Sequence, residues 1–265
     1  AHTLPRVFDC LCEQVPIPAD RMPFEWLVID DGSTDTTRQL IADYKTRAPF
    51  SIRYDYGENV GKSLALNRGF LLAKGDFCVI SDSDDAFKKD ALLIFWNSWQ
   101  GLSETEREDC AGISCCSQDG YTGQRMGREP PGAPCITQPD FLTFCYKNHY
   151  FVEGWSAVKT QVFREFPFPK VDGPQKFVPE AYSWIQLGRK YRFLVLADTL
   201  RIIFFQPDGY TLNPVQNLRK QARGRFLYHS ANINWNRDLM LRYWPGRYFR
   251  DLLQAARTAA FAGYT

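Results

Sequence analysis

Short apolar runs alternate with helical stripes along the first eighty residues. EWLVID (25–30) is a brief apolar, partly β-branched run and predicts a strand. In GSTDTTRQLIADYKTR (32–47), Leu40, Ile41 and Tyr44 form a helical stripe, and Ser33 or Thr34 can serve as N-cap. SIRYDY (51–56) reads as a second strand, GKSLALNRGFLLAKG (61–75) as a helix with Gly75 as its C-cap, and FCVIS (77–81) as a third strand. Strand, helix, strand, helix, strand in this order predicts parallel βαβ units with right-handed crossovers. Farther on, EAYSWIQLGRKY (180–191) is a helical pattern with Tyr182, Ile185 and Leu187 among its apolar members. There is no internal repeat or low-complexity tract.

That order gives the acidic residues a common address. Asp30 and Asp31 end the first strand, and Asp82, Asp84 and Asp85 follow the third within four positions. Carboxylates that close repel one another and rise in pKa unless a cation sits among them. In open α/β sheets, ligands bind beyond the carboxyl ends of the strands. Each acidic group taken singly is also an ordinary turn, with Asp as turn former. Two such groups at equivalent strand ends favour a shared ligand edge over two unrelated turns.

The 265 residues suit one large domain or two small ones, with length enough for a sizeable core. A 45% hydrophobic, 23% charged composition is ordinary for a globular protein, and a net charge of +2 gives no nucleic-acid-like excess. No run approaches the roughly 18 apolar residues of a membrane helix, and AHTLPRVFDCLCEQ lacks the layout of a secretory signal. The eight cysteines (Cys10, Cys12, Cys78, Cys110, Cys115, Cys116, Cys135, Cys145) show neither a disulfide framework nor zinc spacing, and the histidines are only His2, His149 and His229. Reduced thiols in a cytoplasm are expected. GENVGKS (57–63) imitates a phosphate-binding P-loop, but three residues rather than four precede Gly-Lys-Ser, and Tyr56 stands where Gly is needed. DSDDAF lacks the Gly and distal Glu of a calcium-binding EF-hand loop.

WLVIDDGSTDTT, followed by ENVGKSLALNRGFLLAKGDFCVISDSDDAF, resembles the nucleotide-binding half of family 2 glycosyltransferases with the GT-A fold. FPFPKVDGPQKFVPEAYSWIQLGRKYRF and LRIIFFQPDGYT are similar to its acceptor-side half, so the resemblance covers most of residues 1 to about 215. It implies an α/β, Rossmann-like GT-A fold: a mixed, mainly parallel sheet flanked by helices, with a C-terminal helical extension. Residues 1–105 would form the nucleotide-sugar-binding half, 106–214 the acceptor-binding half of the same domain, and 215–265 the extension. By the same resemblance Asp31 hydrogen-bonds the nucleotide base, supported by Asp30. The DSDD stretch is similar to the DxD motif, in which one carboxylate contacts ribose and another binds Mn²⁺ or Mg²⁺ on the donor diphosphate. Glu180 falls at the catalytic base. The implied activity is inverting, metal-dependent transfer from a nucleotide-sugar, a UDP-sugar, to a glycan or glycolipid acceptor in bacterial surface polysaccharide biosynthesis. Its implied setting is the cytoplasm, or the inner face of the cell membrane.

Elementary chemistry agrees with these roles. A diphosphate leaving group carries heavy negative charge, which a hard divalent cation on oxygen ligands neutralises. Asp84 is favoured as principal metal ligand, Asp85 as second, and Asp82 toward the ribose. A sugar hydroxyl is a poor nucleophile until a carboxylate takes its proton. As an acid at a helix start, Glu180 is also simply favourable with the dipole. In place of the family's frequent Glu-Asp pair, Ala181 follows Glu180. Should Glu180 not be the base, Asp172 and Glu153 come next. Lys62 and Arg68 can meet phosphate or be solvated helix charges. Trp155 and Trp184 can stack on a sugar or be core aromatics, and Asp208 can be only a turn residue. Two competing functions are a nucleotide-binding relative without turnover and a nucleotidyltransferase, whose Gly-rich opening loop is absent.

Two departures from the family pattern stand out. AHTLPRVFDCLCEQ resembles the family's first helix, so its first strand is expected to be missing and the chain to be a truncated piece; loss of a central parallel strand would weaken both donor site and fold. Leu66 stands where the family often has Arg. Finally, residues 215–265 hold nine basic residues against Asp238 and Asp251, a net +7. Leu218, Ala222, Phe226 and Leu227 are spaced as on an amphipathic helix. This segment either rests on an anionic membrane surface or packs on the sheet with a solvated basic face.

Overall fold

The computed structural model describes residues 1–14, 24–172, 176–205 and 214–264. Its elements run α1 (Leu4–Glu13), β1 (Glu25–Asp31), α2 (Thr37–Arg47), β2 (Ser51–Gly57), α3 (Lys62–Leu72), β3 (Phe77–Val79) and β4 (Ala86–Phe87). Then come α4 (Ala91–Gln100), α5 (Glu104–Asp109), β5 (Cys110–Asp119), β6 (Cys135–Ile136), α6 (Phe141–Lys147), β7 (Gly154–Lys159) and α7 (Thr160–Glu165). The chain continues through α8 (Ala181–Lys190), β8 (Arg192–Ile203), α9 (Pro214–Lys220), α10 (Ala222–Tyr243) and α11 (Pro245–Ala262).

β1 and β2 pair in parallel, from Glu25 opposite Ser51 to Asp31 opposite Gly57, with α2 as the crossover and α3 packed on β1. This is the predicted βαβ unit. β3 departs from the expected third parallel partner: it pairs antiparallel with β7, Phe77 opposite Lys159 and Val79 opposite Ala157. The larger sheet has the order β3-β7-β5-β8-β4, with β6 also on β8. Within it β5 and β8 are parallel and the other pairs antiparallel. An apolar run marks a strand, but its partner is chosen by packing far along the chain.

Alternation along the strands divides the core. Ile113, Cys115, Leu194 and Leu196 face one cluster with Phe95 and Trp99 of α4; Ala111, Val158, Phe193 and Val195 face another with Phe163 of α7 and Leu187 of α8. Pro5 occupies the first turn of α1, where its missing N–H costs nothing. α1 joins the two sheets: Leu4 and Phe8 pack with Ile41, Tyr44 and Ile52, while Val7 and Leu11 enter the cluster of Phe87 and Phe95. Each such buried side chain stabilises by about 1.5–3 kcal/mol. Phe8 stacks on Tyr44 at 4.0 Å, a pairing that adds about 0.5–1.5 kcal/mol.

α10 and α11 pack along each other, and α10 sits on α6 and α8 through Tyr146, Ile185, Leu239 and Met240. The eight cysteines are all free thiols. Among the described residues no helix is long and apolar enough to cross a membrane. Asp208 and residues 173–175 of the acceptor-side motif lie outside the described residues.

Candidate active site

β1 delivers Asp30 and Asp31 to its C-terminal end. The next residue, Gly32, has φ +87, and a Cβ there would lie 2.8 Å from the Asn59 nitrogen. Asp30 is buried, accepting the Ser33 amide at 2.8 Å and the Tyr54 hydroxyl at 2.5 Å. Burial raises its pKa, but these hydrogen bonds outweigh it and hold the carboxyl below the usual range. Ser33 thus lies in a turn closed on Asp30, outside the helix, and α2 begins later, at Thr37, whose N–H and hydroxyl both donate to Asp35. Asp31 spans the start of α3, accepting the amides of Val60 and Gly61 at 2.8 Å each. Gly61 (φ +89) must be glycine, because a Cβ would fall 2.1 Å from the Lys176 carbonyl oxygen. α3 itself ends at Leu72, capped by extended Ala73 rather than by Gly75.

The second acidic group lies beyond β3 and is threaded by two cations. Lys62, first residue of α3, places Nζ 2.5 Å from Asp82 and 2.6 Å from Glu180, which stands at the N-cap of α8. Residues 62, 82 and 180, distant in sequence, therefore meet at one point. On the other side Arg201 of β8 contacts Asp85 at 2.6 Å, Asp82 at 3.0 Å and Glu153 at 3.6 Å. Arg6 of α1 donates to the Asp84 carbonyl at 2.6 Å and fixes the turn from outside.

Charge balance follows. Burial raises the Asp82 pKa, but Lys62 and Arg201 outweigh it and the carboxyl ends below its ordinary value. Burial lifts Asp85 to about 7 in spite of Arg201. Glu153 is also raised, by burial first, with Arg201 opposing and Glu180 and Asp82 adding. Burial works against the ammonium of Lys62, yet Glu180 and Asp82 raise its pKa overall.

Asp85, expected as second metal ligand, is instead 2% exposed and committed to Arg201. Asp84 is half-buried, and its carboxylate makes no hydrogen bond or ion pair among the described residues. No group of three or more His, Cys, Asp or Glu side chains is placed to hold a metal among them. One free carboxylate still fits Mg²⁺ or Mn²⁺ at a diphosphate, because such ions take one or two protein carboxylates and draw their other ligands from phosphate and water.

Trp155 is a core residue, and Trp184 is partly buried against the second cluster. Trp155 is buried, stacks on Phe87 at 5.3 Å and donates its indole N–H to the Ile80 carbonyl at 2.7 Å. Trp184 packs among Phe141, Phe163 and Phe193. Arg68 is also engaged, holding Asp55 at 2.6 Å and the Asp30 carbonyl at 3.1 Å. Leu66 packs against the second core cluster. Asp172 is exposed and outside the network; its carbonyl accepts from Arg223. Arg201 and Tyr54 escaped the sequence reading. The one signal was a charged residue inside the apolar run LRIIFF.

The fold is the GT-A fold. The chain is similar to Staphylococcus aureus TarS 1–349 in complex with UDP-GlcNAc, with a TM-score of 0.59 at 15% identity over 88% of this chain and 63% of that one. It is likewise similar to the mannosyltransferase PcManGT from Pyrobaculum calidifontis in complex with GDP-Man and Mn²⁺, with a TM-score of 0.60 at 18% identity over 99% and 72%. Residues 1–166 match the glycosyl transferase family 2 model, and the chain belongs to that family. It is 38% identical over 101 residues to dolichyl-phosphate beta-glucosyltransferase of Dictyostelium discoideum, a match covering 37% of this chain and 29% of that protein. The minor teichoic acid biosynthesis protein GgaA of Bacillus subtilis is 39% identical over 105 residues, covering 39% of this chain and 22% of that protein. Matches thus span under a third of these curated relatives.

Proposed function

We propose that the chain is an inverting glycosyltransferase that moves a sugar from a nucleotide-sugar, a UDP-sugar, to a hydroxyl of a glycan or lipid-linked acceptor in surface polysaccharide synthesis. The observation that carries this reading is the Asp82–Lys62–Glu180 bridge. It joins the acidic turn at the donor edge to the carboxylate expected to act as base. Support comes from the family match and from solved relatives that hold UDP-GlcNAc or GDP-Man.

In this reading residues 1–105 bind the donor, 106–214 the acceptor, and the basic segment 215–265 meets an anionic membrane at the cytoplasmic face. Asp31, supported by Asp30, takes the base, and Asp82 the ribose. Held by Asp84, Mn²⁺ or Mg²⁺ would neutralise charge on the leaving diphosphate. Asp85 positions Arg201 rather than binding metal. Glu180 accepts the acceptor hydroxyl's proton as that oxygen bonds to the anomeric carbon; the carbon–oxygen bond to the diphosphate breaks, and the nucleoside diphosphate leaves with the electron pair. Attack opposite the leaving group inverts the anomeric centre.

The test is calorimetric titration of UDP and of GDP, each with and without Mn²⁺, on the chain and on Asp84→Ala. Expected is micromolar UDP binding that needs the metal and disappears in the variant. Absence of nucleotide binding would refute the donor site, and metal-dependent binding that survives Asp84→Ala would move the metal ligand elsewhere.

A further inference from the structure

Helix α11 is turned inside out for a surface in water. Its buried residues are polar, Asp251 at 1% and Thr258 at 0% exposed, whereas Phe249, Leu253 and Phe261 stand 60%, 72% and 41% exposed. A surface helix ordinarily buries its apolar stripe and wets the polar one. At about 100° per residue, Leu252, Ala256, Phe249, Ala260 and Leu253 follow one another around a single arc that contains no charge. Arg250 and Arg257 fall along one rim of that arc.

A polar seam fixes this orientation. Asp251 accepts from Asn232 Nδ2 at 2.8 Å and Arg247 Nε at 3.2 Å, and its other oxygen lies 3.4 Å from His229 Nδ1. Asn232 in turn accepts from Asn236 at 2.9 Å and from the Tyr146 hydroxyl at 3.1 Å. Arg247 also reaches the Tyr228 hydroxyl at 3.2 Å. A buried carboxylate persists only with such partners. Rolling α11 to hide Phe249 and Leu253 would strip all of them at once, so the apolar arc is held outward.

We infer that this arc of α11 lies in the interfacial plane of an anionic lipid bilayer. Charge selects the occupant. Of the two acidic residues in 215–265, Asp251 is buried and Asp238 is paired with Arg189 at 2.6 Å, so basic groups dominate the surface around the arc. An apolar arc rimmed by arginines, on a helix too polar to span, fits a helix lying at the headgroup level. An antiparallel pair of copies joined by this arc would instead bring both arginine rims to the same side, where like charges repel. The inference rests on the membrane-facing reading of 215–265 and not on sugar transfer. It names α11, rather than α9 or α10, as the contact.

The experiment is vesicle flotation of the full chain with phosphatidylcholine vesicles, with and without phosphatidylglycerol. It is run at about 0.1 M and 1 M salt, where the Debye length is about 10 Å and 3 Å. The wild-type chain is expected to float with anionic vesicles in low salt and about tenfold less with neutral ones or in high salt. Phe249→Ser/Leu253→Ser is expected to float about tenfold less, with unchanged circular dichroism and UDP titration, since both side chains are exposed. Equal flotation with neutral vesicles overturns the charge argument. Wild-type flotation by the double variant removes α11 as the contact while leaving a membrane-facing extension. No flotation, with dimerisation that the variant abolishes, overturns the inference and assigns the arc to a second copy.

Discussion

Substituting Lys62 by Met separates two roles that the ion-pair bridge gives this residue. Its ammonium makes two short contacts, 2.5 Å to Asp82 and 2.6 Å to Glu180. Hydrogen bonds to charged groups are worth about 1.5–3 kcal/mol each when buried. These side chains are roughly a third exposed, 42% for Lys62, 29% for Asp82 and 38% for Glu180. Solvent therefore discounts each contact to about 1 kcal/mol. A loss near 2 kcal/mol leaves a folded chain, and the informative readout is kinetic. Without Lys62, Glu180, the proposed base, loses the contact that fixes its side chain, and part of the factor of about 10²–10⁴ that a general base supplies would go with it. We expect kcat to fall about 10- to 100-fold in Lys62→Met. In Lys62→Met/Glu180→Gln, kcat should be no lower than in Glu180→Gln alone, because residues that act through one another are not additive. The assay is steady-state transfer from a UDP-sugar in the four proteins of the cycle. Additive losses would refute the bridge as a positioning device. A raised KM with unchanged kcat would make Lys62 a donor ligand only.

Two further predictions concern groups that the fold buries. Asp85 titrates near 7 against a model-peptide 3.8, so the folded chain holds a proton that the unfolded chain has shed between about pH 4 and 7; stability should fall as pH rises through that window, by an upper bound of roughly 4 kcal/mol. With a chelator present, Asp85→Asn should lose this slope and equal or exceed wild type in urea midpoint at about pH 8; a variant less stable there would refute the reasoning. Asp251→Ala, which strands Asn232, Arg247 and His229, should cost about 3–5 kcal/mol, and Asp251→Asn less, by urea unfolding at neutral pH; a loss under about 1 kcal/mol would show the seam to be dispensable. Burial raises the Asp251 pKa, yet His229 and Arg247 depress it overall, so its contribution is present above the unfolded carboxylate pKa and lost as pH falls through the folded value.

Local pattern revealed most elements but not their pairing. EWLVID, SIRYDY and FCVIS became β1, β2 and β3 because apolar runs bounded by polar turns have few other uses. The antiparallel seating of β3 on β7 was invisible, since Phe77 and Lys159 are matched only by the assembled core. Helix ends were misplaced where a local turn came first: Asp30 takes the Ser33 amide three residues on, and α2 begins only at Thr37. That Asp30 and Asp31 end β1, and that Asp82 and Asp84 follow β3, was legible from the apolar runs that precede them. The burial of Asp85 was not, because Arg201 comes from a strand more than a hundred residues later. For Trp155 and Trp184 the sequence left two uses open for a simple reason: an indole that would stack on sugar has the same sequence signature as one that packs against a core.

The division of the acidic residues between two sheets has a mechanical consequence. Asp30 and Asp31 belong to the β1–β2 pair, whereas Asp82, Asp85 and Arg201 belong to the larger sheet. Among the described residues no backbone ladder joins β1 to β3. Their registration rests on side chains and helices. α1 packs into both cores and sends Arg6 to the turn at Asp84; α3 starts on the Asp31 carboxylate and ends its first residue's side chain on Asp82 and Glu180. Side-chain packing yields more readily than a strand ladder, so the gap between the two acidic groups is set by interactions a ligand can rearrange. A diphosphate arriving there would meet Lys62, whose ammonium holds the ribose-side and base-side carboxylates of the proposed reaction at 2.5 and 2.6 Å. Donor binding and the placement of Glu180 would then be linked through one side chain, the link that Lys62→Met is designed to cut.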